Sequence, residues 1–176
     1  MNKQHWNISQ KDSSIYFKVK YLQISTIKGI FQKFRGNVFT DQYFSEPEVH
    51  LALDSASLET YNSTQNQTLR SNACLASSKY PSIDFHAING CKLSSGKIWE
   101  LTGNLSVRNI SYPITMVVTL SHINNKDRIP NARFNLFGKI NLHDFGFSNL
   151  AGKEISNEIQ LFAEITLVKS SKPHSS

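Results

Sequence analysis

The sequence predicts an all-β protein: an antiparallel barrel of about eight strands with one short helix inserted between Thr60 and Ala76. Three observations lead there. Apolar residues recur at every second position through most of the chain, the period of a strand with one buried face. Short turns rich in Gly, Asn and Ser join these runs, with no long amphipathic helix between them. Only the stretch from Val49 to Phe85 breaks the rhythm, with a polar excursion between two alternating segments.

Taken in order, Ser13 to Tyr21 sets Ile15, Phe17, Val19 and Tyr21 against Tyr16, Lys18 and Lys20, a strand with one buried face. Thr26 to Thr40 continues with Ile27, Gly29 and Phe31, then Phe34, Gly36 and Val38. Its parity changes between Phe31 and Phe34, and Gly29 and Gly36 are residues that permit a bulge or bend. Glu46-Pro47 opens the strand Val49-Leu51-Leu53. A polar loop from Ser57 to Thr64 follows, then the helix-compatible Gln65 to Ser71, and the chain resumes at Lys79-Tyr80-Pro81. Ile83, Phe85 and Ala87 form a strand ending at Asn89-Gly90, a hairpin signal.

Ser94-Ser95-Gly96 turns into Lys97 to Val107, where Trp99, Leu101, Gly103, Leu105 and Val107 share a face. Asn109 to Tyr112 turns again, and Pro113 starts Ile114-Met116-Val118-Leu120-His122. A polar connection leads through Pro130 to Phe134-Leu136-Gly138-Ile140-Leu142. The loop from His143 to Asn157 holds Asp144-Phe145-Gly146-Phe147 and Ala151-Gly152-Lys153, with Asp144 expected to shape it through its side chain. The last strand is Ile159-Leu161-Ala163-Ile165-Leu167, before a polar tail. The pattern suits an antiparallel barrel or sandwich, and strands this long and one-sided favour a closed barrel, because closure removes both exposed edges. A barrel of this size is either filled by its side chains or just wide enough for one small ligand.

Composition narrows the function classes. At 39% hydrophobic and 18% charged, the chain suits a folded core and argues against disorder. Its net charge of +6 is diffuse, with no basic block, which argues against a nucleic-acid partner and leaves room for an anionic head group. No apolar run approaches the ~20 residues needed to span a bilayer, so no transmembrane segment is expected. The opening residues lack the apolar core of a secretory signal. The compartment is cytoplasmic if Met1 is the native start, and periplasmic or secreted if a signal has been removed. Cys74 and Cys91 fit no redox or zinc spacing and read as two free, half-buried thiols, or as one bridge in an oxidising compartment.

Catalytic and metal motifs are missing. The histidines (His5, His50, His86, His122, His143 and His174) occur singly in sequence, so each reads as a surface or solitary residue, and no metal site is expected. No nucleophile elbow or phosphate loop is present, so neither a cofactor nor catalysis is expected. Asn-x-Ser/Thr sequons at Asn7, Asn62, Asn66, Asn104 and Asn109 are what an Asn- and Ser-rich chain gives by chance. The inward stripes Phe17, Val19, Leu51, Leu53, Phe85, Trp99, Leu101, Leu105, Met116 and Val118 suit either a plain core or a lined cavity. Arg70, on the helical piece, is either a solvated surface residue or a guanidinium placed to hold an anionic head group.

The order of these features resembles the YceI-like family, lipocalin-like barrels that bind polyisoprenoids and related lipids. The resemblance spans Trp6 to Leu167. It rests on Ser14-Ile15-Tyr16-Phe17-Lys18-Val19, on Gly29-Ile30-Phe31 with Phe34-Arg35-Gly36, and on Leu69-Arg70-Ser71 with Lys79-Tyr80-Pro81-Ser82-Ile83-Asp84-Phe85. Leu101 to Arg108 with Tyr112-Pro113-Ile114, and Asp144-Phe145-Gly146-Phe147, complete it. The chain departs from the family at Gln65-Asn66 and Thr68, at Ala73-Cys74-Leu75, and at Asn109 in place of a Gly.

The resemblance implies one barrel domain over residues 1–169, a tail over 170–176, and a non-enzymatic bacterial lipid carrier. Its ligand would be a polyisoprenoid, quinone tail or fatty amide held against the residues named above, and a homodimer is compatible with it. The other reading is a solid-cored barrel acting through its outer surface as a stress-related or partner-binding protein.

Overall fold

A computed structural model describes residues 3–88, 91–147 and 155–171. The Asn89-Gly90 turn, Ala151-Gly152-Lys153, His174 and the end of the tail lie outside the described residues. The strands are β1 (Gln4–Ile8), β2 (Ser14–Tyr21), β3 (Ser25–Phe31), β4 (Phe34–Thr40), β5 (Glu48–Asp54) and β6 (Leu58–Glu59). After helix α1 (Ser63–Arg70) come β7 (Ser82–Ala87), β8 (Cys91–Ser95), β9 (Ile98–Val107), β10 (Ile110–Asn124), β11 (Asn131–Asn141) and β12 (Ile155–Lys169). Single 3-10 turns occupy Ser55–Ser57 and Leu142–Phe145.

These strands make one antiparallel sheet that closes on itself. The ladder runs β1-β4-β5-β7-β9-β10-β11-β12, and β12 pairs back to β1 to complete the 8-strand barrel. The strands β2 and β3 prolong β1 and β4 past a bend, because the long β12 pairs β1 at Leu167–Lys169 and β2 along its first half. In β2 and β9 the alternation read from sequence is the alternation of burial. Ile15, Phe17 and Val19 are buried in β2, as are Trp99, Leu101, Leu105 and Val107 in β9.

The parity change after Phe31 is a break at Gln32–Lys33, and the polar groups it frees are all satisfied. Lys33 N–H donates to Ser57 Oγ at 3.0 Å, Phe34 N–H to Gln10 Oε1 at 3.2 Å, and Gln32 N–H to Ser57 C=O at 3.2 Å. Gly29 and Gly36 do not make this bend: they sit inside β3 and β4, and neither has a positive φ. Gly29 is needed because the Phe17 ring lies directly across it on the neighbouring strand.

Other boundaries differ from expectation for identifiable reasons. The β9–β10 turn is the pair Arg108–Asn109, both left-handed at φ 52° and 62°, a two-residue hairpin in which Asn tolerates what usually calls for Gly. Pro113 therefore lies inside β10. It is tolerated because this end of β10 pairs with β9 alone, β11 joining only from Met116 onward. The short β8 was not anticipated, nor was β6, where Leu58 is fully buried inside what reads as a polar loop. Asn141, not Asp144, shapes the next turn: its side chain accepts from His143 N–H at 3.0 Å.

Candidate functional site

The inward side chains do not meet at the barrel axis. They surround a cavity of about 270 Å³ with almost wholly carbon walls. A void of ~10–15 Å³ already admits one water, so this is room for a molecule, with nothing on its walls to hold water. No carboxylate, amine, guanidinium or imidazole is among the lining residues described. Several inward-facing residues, including Leu51, Val118, Leu136 and Leu161, are only half-buried, which a filled core of this size would not leave.

One end is plugged by aromatic rings. Asp41 accepts from Ser45 N–H at 2.8 Å and from the Ser45 hydroxyl, curling the β4–β5 loop so that Phe44 turns inward. The Phe44 ring centroid lies 5.3 Å from Trp6 and 5.1 Å from Phe134, and Trp99 follows at 6.3 Å from Phe134. Such tilted and edge-on pairs add to the area each ring buries. The other end is bordered by the segment around α1, which contributes Leu58, Leu69, Cys74 and Leu75, and by Leu142, Phe145 and Phe147.

The α1 segment is held down by side chains. Asn62 caps the helix, accepting from Gln65 N–H at 3.0 Å. Asn66, 8% exposed, accepts from Thr60 N–H at 2.8 Å and donates to Glu59 at 2.6 Å. The bond from Asn66, with a backbone N–H from Tyr61, holds the Glu59 carboxyl below its usual range. Arg108 donates to Cys74 C=O at 3.0 Å and covers the Phe147 ring at 4.8 Å, tying the two sides of this end together.

Of the residues singled out from sequence, Phe17, Val19, Leu51, Leu53, Phe85, Trp99, Leu101, Leu105, Met116 and Val118 all line the cavity. Arg70 does not. Its guanidinium donates to Leu58 C=O and lies 3.9 Å from Glu59, so it joins α1 to β6. Cys74 and Cys91 are free, and both line the cavity; burial pushes both thiols up. The sequence reading missed Leu58, Leu69, Phe44 and Phe145. Leu69 was findable as the lone large apolar residue of an otherwise polar helix, whereas Leu58 and Phe44 sit in loop-like sequence with no periodic signal. The histidines are not all solitary either: His50 and His86 stack across strands at 4.2 Å.

Comparison with known proteins places these features in a wider group. A family model described as the YceI-like domain matches residues 6–167. A UPF0312 protein of Photorhabdus laumondii is 29% identical over 166 residues, 93% of this chain and 84% of that protein. One from Vibrio parahaemolyticus is 30% identical over 105 residues, 59% of this chain, which there spans only 55% of its relative's length. Among solved structures, the Campylobacter jejuni YceI protein superposes with a TM-score of 0.76 at 25% identity, covering 87% of this chain and 90% of that one. A polyisoprenoid-binding domain from Saccharophagus degradans shares the fold at a TM-score of 0.71 and 13% identity, covering 94% and 98%.

Proposed function

Because this chain belongs to the YceI-like family, we propose that it is a non-enzymatic lipid-binding protein whose barrel holds one long apolar chain. The observation that carries the proposal is the apolar cavity itself, continuous from the Trp6–Phe44–Phe134 plug to the α1 end. Each methylene leaving water for this interior contributes ~0.8 kcal/mol, so a chain of ten carries roughly 8 kcal/mol before ordering costs return part of it. Among the described residues no charged side chain lines the cavity to read chemistry along the chain, so girth and length set selectivity. A polyisoprenoid, a quinone tail or a fatty amide satisfies that description, and the binding named for the Saccharophagus degradans domain supports it.

The ten inward residues named from sequence form the contact surface in this reading. The head group lies at the α1 end, among Leu75, Phe147 and the segment that Arg70 and Arg108 brace. The void weighs against a solid-cored barrel working from its outside.

The test is a titration of delipidated protein with isoprenoid alcohols of increasing length, read by fluorescence of Trp99, which lines the cavity. Saturable one-to-one binding that tightens with length and then levels off is expected. Binding that does not saturate, or that ignores length, would contradict the proposal.

A further inference from the structure

On the outer wall, β5 and β7 carry a group that the cavity does not use. Glu48 and His50 are two residues apart on β5 and so share its outer face, while Val49 and Leu51 between and beyond them line the cavity. His86 is the direct register partner of His50 on β7. The two imidazoles stack with centroids 4.2 Å apart and planes 26° apart, and His50 Nε2 lies 2.9 Å from Glu48 Oε1. One donor atom from each of the three falls within 4.8 Å of the others.

We propose that Glu48, His50 and His86 form a surface site for a divalent transition-metal ion, with Zn²⁺, Cu²⁺ and Ni²⁺ as the class it takes. Two imidazole nitrogens and one carboxylate oxygen are the donor set these borderline ions prefer, whereas Mg²⁺ and Ca²⁺ require oxygen ligands. Donors at ~2.1 Å around a tetrahedral ion stand ~3.4 Å apart, so the site closes by roughly an ångström of side-chain rotation. His86 is exposed and the other two are half-buried, so that rotation is free of core rearrangement. The two strands fix the Cα positions, and His50 already orients the carboxylate, so little ordering remains for the ion to impose.

The surroundings are compatible with a cation. Asn37 faces His50 from β4 and Asn104 pairs with His86 from β9, while Asp84 stands on the same face of β7. Two opposing groups are present, Lys3, which acts on the Glu48 charge, and Arg35, two residues before Asn37 on the same face of β4. Three protein donors leave a fourth position for water, so the ion exchanges readily and is held on the surface.

The full chain is titrated with ZnCl₂ by calorimetry and with CuSO₄ by electron paramagnetic resonance. One-to-one binding with two equatorial nitrogens on Cu²⁺ is expected. His50→Gln and His86→Gln should each weaken Zn²⁺ about tenfold or more and leave one nitrogen signal. His122→Gln, an exposed histidine on β10, should bind as wild type. Wild-type affinity in His86→Gln, or an equal loss in His122→Gln, would overturn the site. Because His86 is exposed, that variant remains informative if His50→Gln fails to fold. Lipid affinity should be unchanged in His86→Gln, which separates failure of this site from failure of the carrier reading.

Discussion

Replacing Val118 by Trp asks directly whether the barrel is hollow. Val118 lies mid-strand on β10, paired with Trp99 on β9 and Leu136 on β11, and it is one of the half-buried residues that line the cavity. An indole buries about 150–250 Å², worth roughly 4–6 kcal/mol at 25 cal/mol per Å², where Val contributes about 1.5–3 kcal/mol. In a filled interior that gain is unattainable, and overpacking costs about 1–3 kcal/mol or more. In the cavity the ring occupies space otherwise open to ligand. Delipidated Val118→Trp should therefore be as stable as wild type within ~1 kcal/mol, or more stable, by denaturant unfolding. Its affinity for a long isoprenoid alcohol should fall roughly tenfold, about 1.4 kcal/mol. A loss of 3 kcal/mol or more in stability with unchanged lipid affinity would refute the hollow interior.

Three further variants and probes examine other parts of the structure. Arg70→Ala removes the donor to Leu58 C=O and should destabilise by about 1–3 kcal/mol, weakening anionic and neutral lipids by the same factor. A selective loss for the anionic lipid would instead make Arg70 a head-group ligand. Gly103→Ala places a Cβ 2.6 Å from the Phe85 ring and 2.8 Å from His86 C=O, so unfolding should show a loss of about 1–3 kcal/mol. Because burial raises both thiols, less thiolate is present at a given pH. Labelling of Cys74 and Cys91 by a thiol reagent should thus be slow near pH 8, quicken as pH rises, and be suppressed by bound lipid, as mass spectrometry can follow.

Much of the fold was legible because successive side chains of a barrel strand alternate between the inner and the outer face. In β9, Trp99 through Val107 point inward at every second position and Glu100, Thr102, Asn104 and Ser106 point out, so the face of each residue follows from its parity. Parity assigns the side of the wall, but it cannot say whether opposite walls touch, and filled and hollow barrels therefore read alike. Nor does it reach segments shaped by single main-chain partners. Leu58 is buried because Phe31 pairs with it, and Arg70 is fixed by the Leu58 carbonyl twelve residues back. Neither leaves a periodic trace. His50 and His86 lie far apart in sequence and become neighbours only through strand register, which is why each looked solitary.

Whether the cavity holds one apolar chain is tested most directly by native mass spectrometry of the intact protein. Purified protein, stripped of bound lipid and then incubated with a long isoprenoid alcohol, should appear as a one-to-one complex. The same adduct should be lost or sharply reduced in Val118→Trp. A spectrum showing only the bare chain at saturating lipid, or an adduct of equal abundance in wild type and Val118→Trp, would contradict a ligand seated between β9, β10 and β11.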